Sequence, residues 1–177
     1  SDLSEIKKKN NKLKNNQVIS LLGSINDKNL IEQTISSLKP DTVFHSAAYK
    51  HVSLVEQNII EGIKNNVFGT INIFKSSILN KVSNFVLIST DKAVKPRNMM
   101  GATKRLAEMY LQAYNGINKN IEDINLTIVR FGNVLDSSGS VIPIFKEQIK
   151  NGGPLTLSDL NVTRYFMTIP EASSLVI

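Results

Sequence analysis

Apolar positions along this chain follow two rhythms, short unbroken runs and longer stretches spaced at three to four residues. Val18-Ile19-Ser20-Leu21-Leu22 reads as a buried strand closed by Gly23. Leu30, Ile31, Ile35 and Leu38 mark an amphipathic helix that stops before Pro40. Thr42-Val43-Phe44-His45 is a second short strand, running into Ser46, Ala47 and Ala48. A long helix follows, with Val67, Ile71, Phe74 and Ile78 near helical spacing. Phe85-Val86-Leu87-Ile88-Ser89 is a third strand, Gly101 to about Asn115 another helix, and Leu126-Thr127-Ile128-Val129-Arg130 a fourth strand. Ahead of all these, Leu3, Ile6 and Leu13 form a weak helical stripe.

Strands separated by helix-length segments imply βαβ units, hence an α/β fold with a parallel sheet. The near-continuous apolar character of the strands predicts a sheet covered on both faces. A sheet of this kind ordinarily opens with a strand and a Gly-rich phosphate loop, yet no G-x-G-x-x-G occurs and the chain enters with a helix. It stops inside the apolar run Leu175-Val176-Ile177. Both ends are therefore read as cuts.

Composition narrows the chemistry. The chain has 177 residues and no Cys, which excludes disulfides and thiolate catalysis. Two histidines, His45 and His51, do not make a metal site on their own, so no metal is expected, and both are read as structural. No apolar stretch approaches the roughly 18 residues that span a bilayer, so a cytoplasmic chain without membrane insertion is expected. Of the net charge of +6, much sits in Lys7, Lys8, Lys9, Lys12 and Lys14. No aromatic residue is interleaved there to stack on bases, which favours a solvated helix face over a nucleic-acid arm.

In an open α/β sheet, ligands collect beyond the carboxyl ends of the strands. Four exits can be named here: Gly23-Ser24-Ile25, Ser46-Ala47-Ala48, Ser89-Thr90-Asp91-Lys92 and Phe131-Gly132-Asn133. The third is the richest. Asp91 beside Lys92 offers an acid and a base within one turn of chain, the pair needed to remove a proton from carbon while expelling a hydroxyl. A solvent-exposed turn with an incidental ion pair explains the same residues. Met100 and Lys104 are four apart and share a helix face, so Lys104 is expected to point back towards the strand exits.

Two stretches carry a resemblance: Ser89-Thr90-Asp91-Lys92-Ala93-Val94, and Met100-Gly101-Ala102-Thr103-Lys104-Arg105-Leu106-Ala107-Glu108. So do the segments Ala47 to Val52, Asn65 to Thr70, Arg130 to Leu135, Ser137 to Pro143 and Thr163 to Met167. Together they resemble the polysaccharide-biosynthesis (CapD-like) branch of the extended short-chain dehydrogenase/reductases, which contains the UDP-N-acetylglucosamine 4,6-dehydratases. The resemblance implies a Rossmann-like doubly wound parallel sheet over residues 1–135, truncated at its Gly-rich first βαβ unit. Residues 136–177 would begin a small nucleotide-sugar-binding subdomain. It also implies a nicotinamide cofactor, NAD or NADP, a UDP-sugar substrate, a homo-oligomeric full-length protein, and a parent anchored at the inner membrane by an upstream domain.

Dehydratases of this kind oxidise sugar C4, eliminate water across C5 and C6, and return the hydride to C6. By resemblance, Asp91 protonates the departing C6 hydroxyl, Lys92 takes the C5 proton, Thr90 bonds the C4 hydroxyl, and Lys104 holds the nicotinamide ribose. Ser24, Ile25, Ala47, Ala48, Lys50, Asn66 and Ser89 would line the cofactor, although Asn66 can equally be a buried amide satisfying backbone groups. Asn133 and Arg164 would face the nucleotide diphosphate, and Val141 and Pro143 the uracil. The alternatives are a surface ion pair for Arg164 and helix-start packing for Val141 and Pro143.

The sequence departs from the pattern in three places. Met100 stands where the wider superfamily has Tyr, and methionine accepts no proton, so either the enzyme is dead or Asp91 or Lys92 covers that transfer. Gly23-Ser24 replaces the usual Gly-Asp, and Asp136-Ser137-Ser138-Gly139 the usual Gly-Ser-Ser-Gly. The leading expectation is a 4,6-dehydratase. An epimerase or reductase on the same kind of substrate, and an inactive, self-associating fragment of such an enzyme, are the alternatives.

Overall fold

A computed structural model describes residues 18–117, 124–135, 141–157, 161 and 163–177. The Lys7–Lys14 segment, the stripe before it and Asp136 to Gly139 lie outside the described residues. Among the described residues the first element is helix α1 (Lys28–Leu38), started by Asp27, whose carboxylate accepts from the Leu30 amide at 3.0 Å. It ends at Lys39 in the left-handed region, φ 44°, immediately before Pro40. Strand β1 (Thr42–His45) follows, then the short helices α2 (Val52–Gln57) and α3 (Ile59–Ile63).

A π-helical turn, Lys64–Gly69, runs into α4 (Thr70–Leu79). Next come β2 (Asn84–Thr90), a 3₁₀ turn over Asp91–Ala93, α5 (Met99–Ile117) and β3 (Asn125–Phe131). The three strands form one parallel sheet in the order β1-β2-β3, with His45 opposite Leu87 and Thr90 opposite Phe131. This is the α/β arrangement that the alternation of apolar runs and helical stripes predicts. A second, two-stranded parallel sheet joins β4 (Asn133–Val134) to β5 (Phe166–Met167). Between these strands lies α6 (Val141–Lys150), and after them α7 (Ile169–Ser174).

One cluster holds the helices to the sheet. Ile35 of α1, Phe74 of α4 and Leu111 of α5 meet Phe85 and Leu87 on one face of β2. Phe74 meets Phe85 edge-on at 5.1 Å between ring centroids, and Tyr114 at 5.7 Å. The sheet is not covered equally on both sides. Phe44 of β1 is 53% exposed on the opposite face.

The first expected strand does not form. Residues 18–22 pair with no strand among the described residues, and Leu22 is fully exposed. Strand structure is a property of a pair, and an apolar run without a neighbour to exchange hydrogen bonds with gains nothing from extending.

Candidate functional site

The carboxyl ends of β1, β2 and β3 open onto a cavity of about 470 Å³. Its reactive wall is the turn after β2. The Thr90 hydroxyl donates to Asp91 Oδ1 at 2.9 Å, and Lys92 Nζ donates to the same oxygen at 3.1 Å. Lys92 Nζ also reaches Asn133 Oδ1, at the β3 exit, at 3.2 Å. Burial pushes the Asp91 carboxyl up, but the hydrogen bonds from Lys92 and Thr90 and the charge of Lys92 outweigh it and hold the group below the usual range. The turn therefore presents a carboxylate and an ammonium in contact, joined to a hydroxyl.

Helix α5 forms the second wall. Its start is fixed twice, since Asn98 Oδ1 accepts from the Gly101 amide at 2.8 Å and Glu56 Oε1 from the Met99 amide at 2.6 Å. Met100 and Lys104 both line the cavity from this helix, and Lys104 Nζ donates to the Ile88 carbonyl at 2.7 Å. Lys104 is 5% exposed, and burial pushes its amine down to about 8, against the opposing pull of the Glu108 charge. The Ser89 hydroxyl lies at the same corner and donates to Glu108.

A polar network supports the loop after β1. Asn66 is fully buried in the π-helical turn; its amide donates to the Tyr49 carbonyl and the Thr103 hydroxyl, both at 3.0 Å. Its oxygen accepts from the Tyr49 amide at 2.7 Å. The Thr70 hydroxyl donates to the Asn66 carbonyl at 2.7 Å, so His45 Nε2, 2.8 Å from that hydroxyl, is the donor to it. His45 is thus a neutral, Nε2-protonated ring, pushed down to about 4 by burial and by the charge of Lys104.

Because the folded ring resists protonation, the stability it contributes is complete above its ordinary value of 6.5 and is lost as pH falls from there towards about 4. Urea midpoints measured across that interval are expected to fall more steeply for wild type than for His45→Gln. Equal slopes would remove His45 from the account.

The expected site residues divide into two groups. Ala48, Lys50, Ser89 and Thr90 line the cavity, as do Lys92, Lys104, Asn133 and Val141, and Asp91 is bonded to its wall. Ser24, Ile25, Ala47, Pro143 and Arg164 do not line it, and Asn66 stands behind it. The Ser24 hydroxyl accepts from the Asn26 amide, Ile25 packs against the core cluster, and Arg164 is exposed and donates to its neighbour Thr163. Tyr49 and Phe166 are cavity walls that the reading from sequence did not single out, and Phe131 lines the cavity from the strand exit named there. Among the described residues, no group of acidic and histidine side chains could hold a metal ion, and no helix is long and apolar enough to cross a membrane.

Comparison with known proteins places this geometry. All of residues 1–177 match the family described as polysaccharide biosynthesis protein. The chain is 50% identical over 161 residues to the capsular polysaccharide biosynthesis protein CapD of Staphylococcus aureus, covering 91% of this chain and 26% of that protein. It is 36% identical over 165 residues to a UDP-glucose 4-epimerase of Rickettsia canadensis, covering 93% and 48%. The solved structure of Pen from Bacillus thuringiensis superposes with a TM-score of 0.85 at 36% identity, over 98% of this chain and 52% of that one. A UDP-glucose 4-epimerase from Thermus thermophilus in complex with NAD, at 20% identity and a TM-score of 0.75 over 86% and 57% of the two chains, shares the fold. The chain thus spans about a quarter to a half of the length of these relatives.

Proposed function

The chain belongs to the polysaccharide biosynthesis protein family, and from that premise we propose that its full-length protein is a nicotinamide-dependent UDP-N-acetylglucosamine-type 4,6-dehydratase. The observation that carries the reading is the contact of Asp91 with Lys92 at the cavity wall, with Thr90 and Asn133 bonded to it. Elimination needs a base at one carbon and an acid at the next, held a bond length or two apart. Once Lys92 has given its resting proton to solvent, the amine takes the C4 hydroxyl proton, which Met100 cannot accept, and passes it along the contact to the Asp91 carboxylate, leaving an amine beside a carboxylic acid. Lys92 then takes the C5 proton, Asp91 protonates the leaving C6 hydroxyl, and Thr90 bonds the C4 oxygen.

The donor set fits a nicotinamide nucleotide: a buried ammonium, Lys104, and the Ser89 hydroxyl stand at one corner beside the small Ala48. Lys104 would hold its ribose, with Ala48 and Lys50 along it. When bound, the cofactor supplies hydride transfer. Asn133 and Val141 would meet the nucleotide of the UDP-sugar. Residues 1–135 would then belong to the cofactor-binding domain and 136–177 to the start of the sugar-nucleotide subdomain, in a homo-oligomeric protein serving surface polysaccharide or glycan synthesis.

The second reading is a 4-epimerase, favoured by the identity to the Rickettsia protein. The two separate in heavy water. Full-length protein given UDP-N-acetylglucosamine is expected to yield a 4-keto-6-deoxy sugar carrying deuterium at C5. A C4 epimer without deuterium at C5 would replace the dehydratase by the epimerase, and no turnover of any UDP-sugar would end both readings.

A further inference from the structure

The proposed reaction leaves one buried charge unused. Glu108 is fully buried on α5, one helical turn beyond Lys104, and four hydrogen bonds converge on its carboxylate. Ser89 of β2 donates at 2.5 Å, Arg130 of β3 donates through Nε at 2.9 Å and Nη2 at 2.5 Å, and Arg105 of α5 donates at 3.2 Å. A buried carboxylate without such partners would be costly, and a two-pronged arginine fixes it in plane as well as in charge. The three elements so joined are those that deliver the cavity's reactive groups. Lys104 comes from α5; Thr90, Asp91 and Lys92 follow Ser89 directly; Asn133 stands three residues after Arg130.

We propose that Glu108 is a positioning residue, whose carboxylate ties the ends of α5, β2 and β3 so that Lys104, the Asp91–Lys92 turn and Asn133 meet at one cavity. The inference rests on the proposed function for its consequence in turnover, and on geometry alone for the tie itself. The Lys92–Asn133 contact bridges two of the tied ends, so a shift of β2 against β3 would separate a base from the group that orients it.

The test uses full-length Glu108→Gln, with Arg130→Lys as a second variant that removes the two-pronged strap to β3 and touches no residue of the cavity lining. Amide hydrogen exchange is expected to quicken at residues 89–93 and 131–133 while Phe85 to Leu87 keep wild-type protection. Turnover of the UDP-sugar is expected to fall about tenfold or more with KM within about twofold. Exchange that quickens evenly across the sheet, or not at all, would overturn the proposal, as would a kcat within about twofold of wild type in folded protein. Should Glu108→Gln not fold, Arg130→Lys gives the same decision at the β3 end. Wild type that turns over no UDP-sugar would sink the functional reading instead, and the exchange pattern would still decide the tie.

Discussion

Asp91→Asn in the full-length protein is expected to lower formation of the 4-keto-6-deoxy sugar by about 10²–10⁴-fold, the range that one positioned acid or base supplies. The amide keeps the shape and can still accept from Thr90, but it has no proton to give to the leaving hydroxyl. Lys92 would lose its ionic partner and keep its bond to Asn133. The two halves of the pair should fail differently. With Lys92 intact, Asp91→Asn should still exchange the C5 hydrogen of the bound sugar with solvent while water is not expelled. Lys92→Met should stop both the exchange and the expulsion. Mass spectrometry of recovered substrate after incubation in heavy water separates these outcomes. Equal deuterium uptake by the two variants would mean that the roles are not divided in this way, and near-wild-type turnover in either would remove the pair from the chemistry.

Much of the scaffold around that pair was legible in the chain, and the limits have physical causes. Thr42–His45, Phe85–Ser89 and Leu126–Arg130 were readable as strands because each apolar run sits beside a partner in the parallel sheet. Val18–Leu22 has the same composition and no partner strand among the described residues, so an identical signal led to a different outcome. The two-residue strands β4 and β5 carry no periodicity to read, since one pair of residues cannot alternate. The π-helical turn escaped for a related reason: the apolar stripe survives one extra residue, and only the burial of both Asn65 and Asn66 betrays it.

At the site, residues adjacent in sequence were easier to place than residues adjacent only in space. Thr90, Asp91 and Lys92 come together because one turn of chain carries them, and Lys104 because helical spacing aims it. The partnership of Glu108 with Ser89 and Arg130 spans 19 and 22 positions, and no local pattern encodes it. The available hints were Lys104 four residues before Glu108 and Arg105 three before it, which mark a charged helix face but leave open whether that face is buried. Ser24 and Ile25 belong to a strand exit whose strand is not formed, which is why they stand apart from the cavity.

Gly101→Ala carries the largest structural expectation, because the clash it creates is with backbone. A Cβ at this position would sit 2.3 Å from the Lys92 carbonyl oxygen and 3.0 Å from its carbon. A flexible side chain could swing aside, but a carbonyl moves only with its turn. Either α5 lifts from the sheet or the Asp91–Ala93 turn is driven outward. Lifting α5 opposes the core contact of Leu111 and the Glu108 tie, both fully buried. In the turn, the Asp91 and Lys92 side chains are partly exposed and have room to move outward, so the turn should yield. The expected cost in stability is then about 1–3 kcal/mol. The expected loss of turnover is larger in proportion, because the displaced atoms are those that set the 3.1 Å Lys92–Asp91 and 3.2 Å Lys92–Asn133 contacts. Measured together, the urea midpoint should drop modestly while kcat falls by about 10²-fold or more in protein that is still folded. A variant that loses stability but keeps its rate would mean that α5 gave way instead, and that the turn is held more firmly than the helix that carries Lys104.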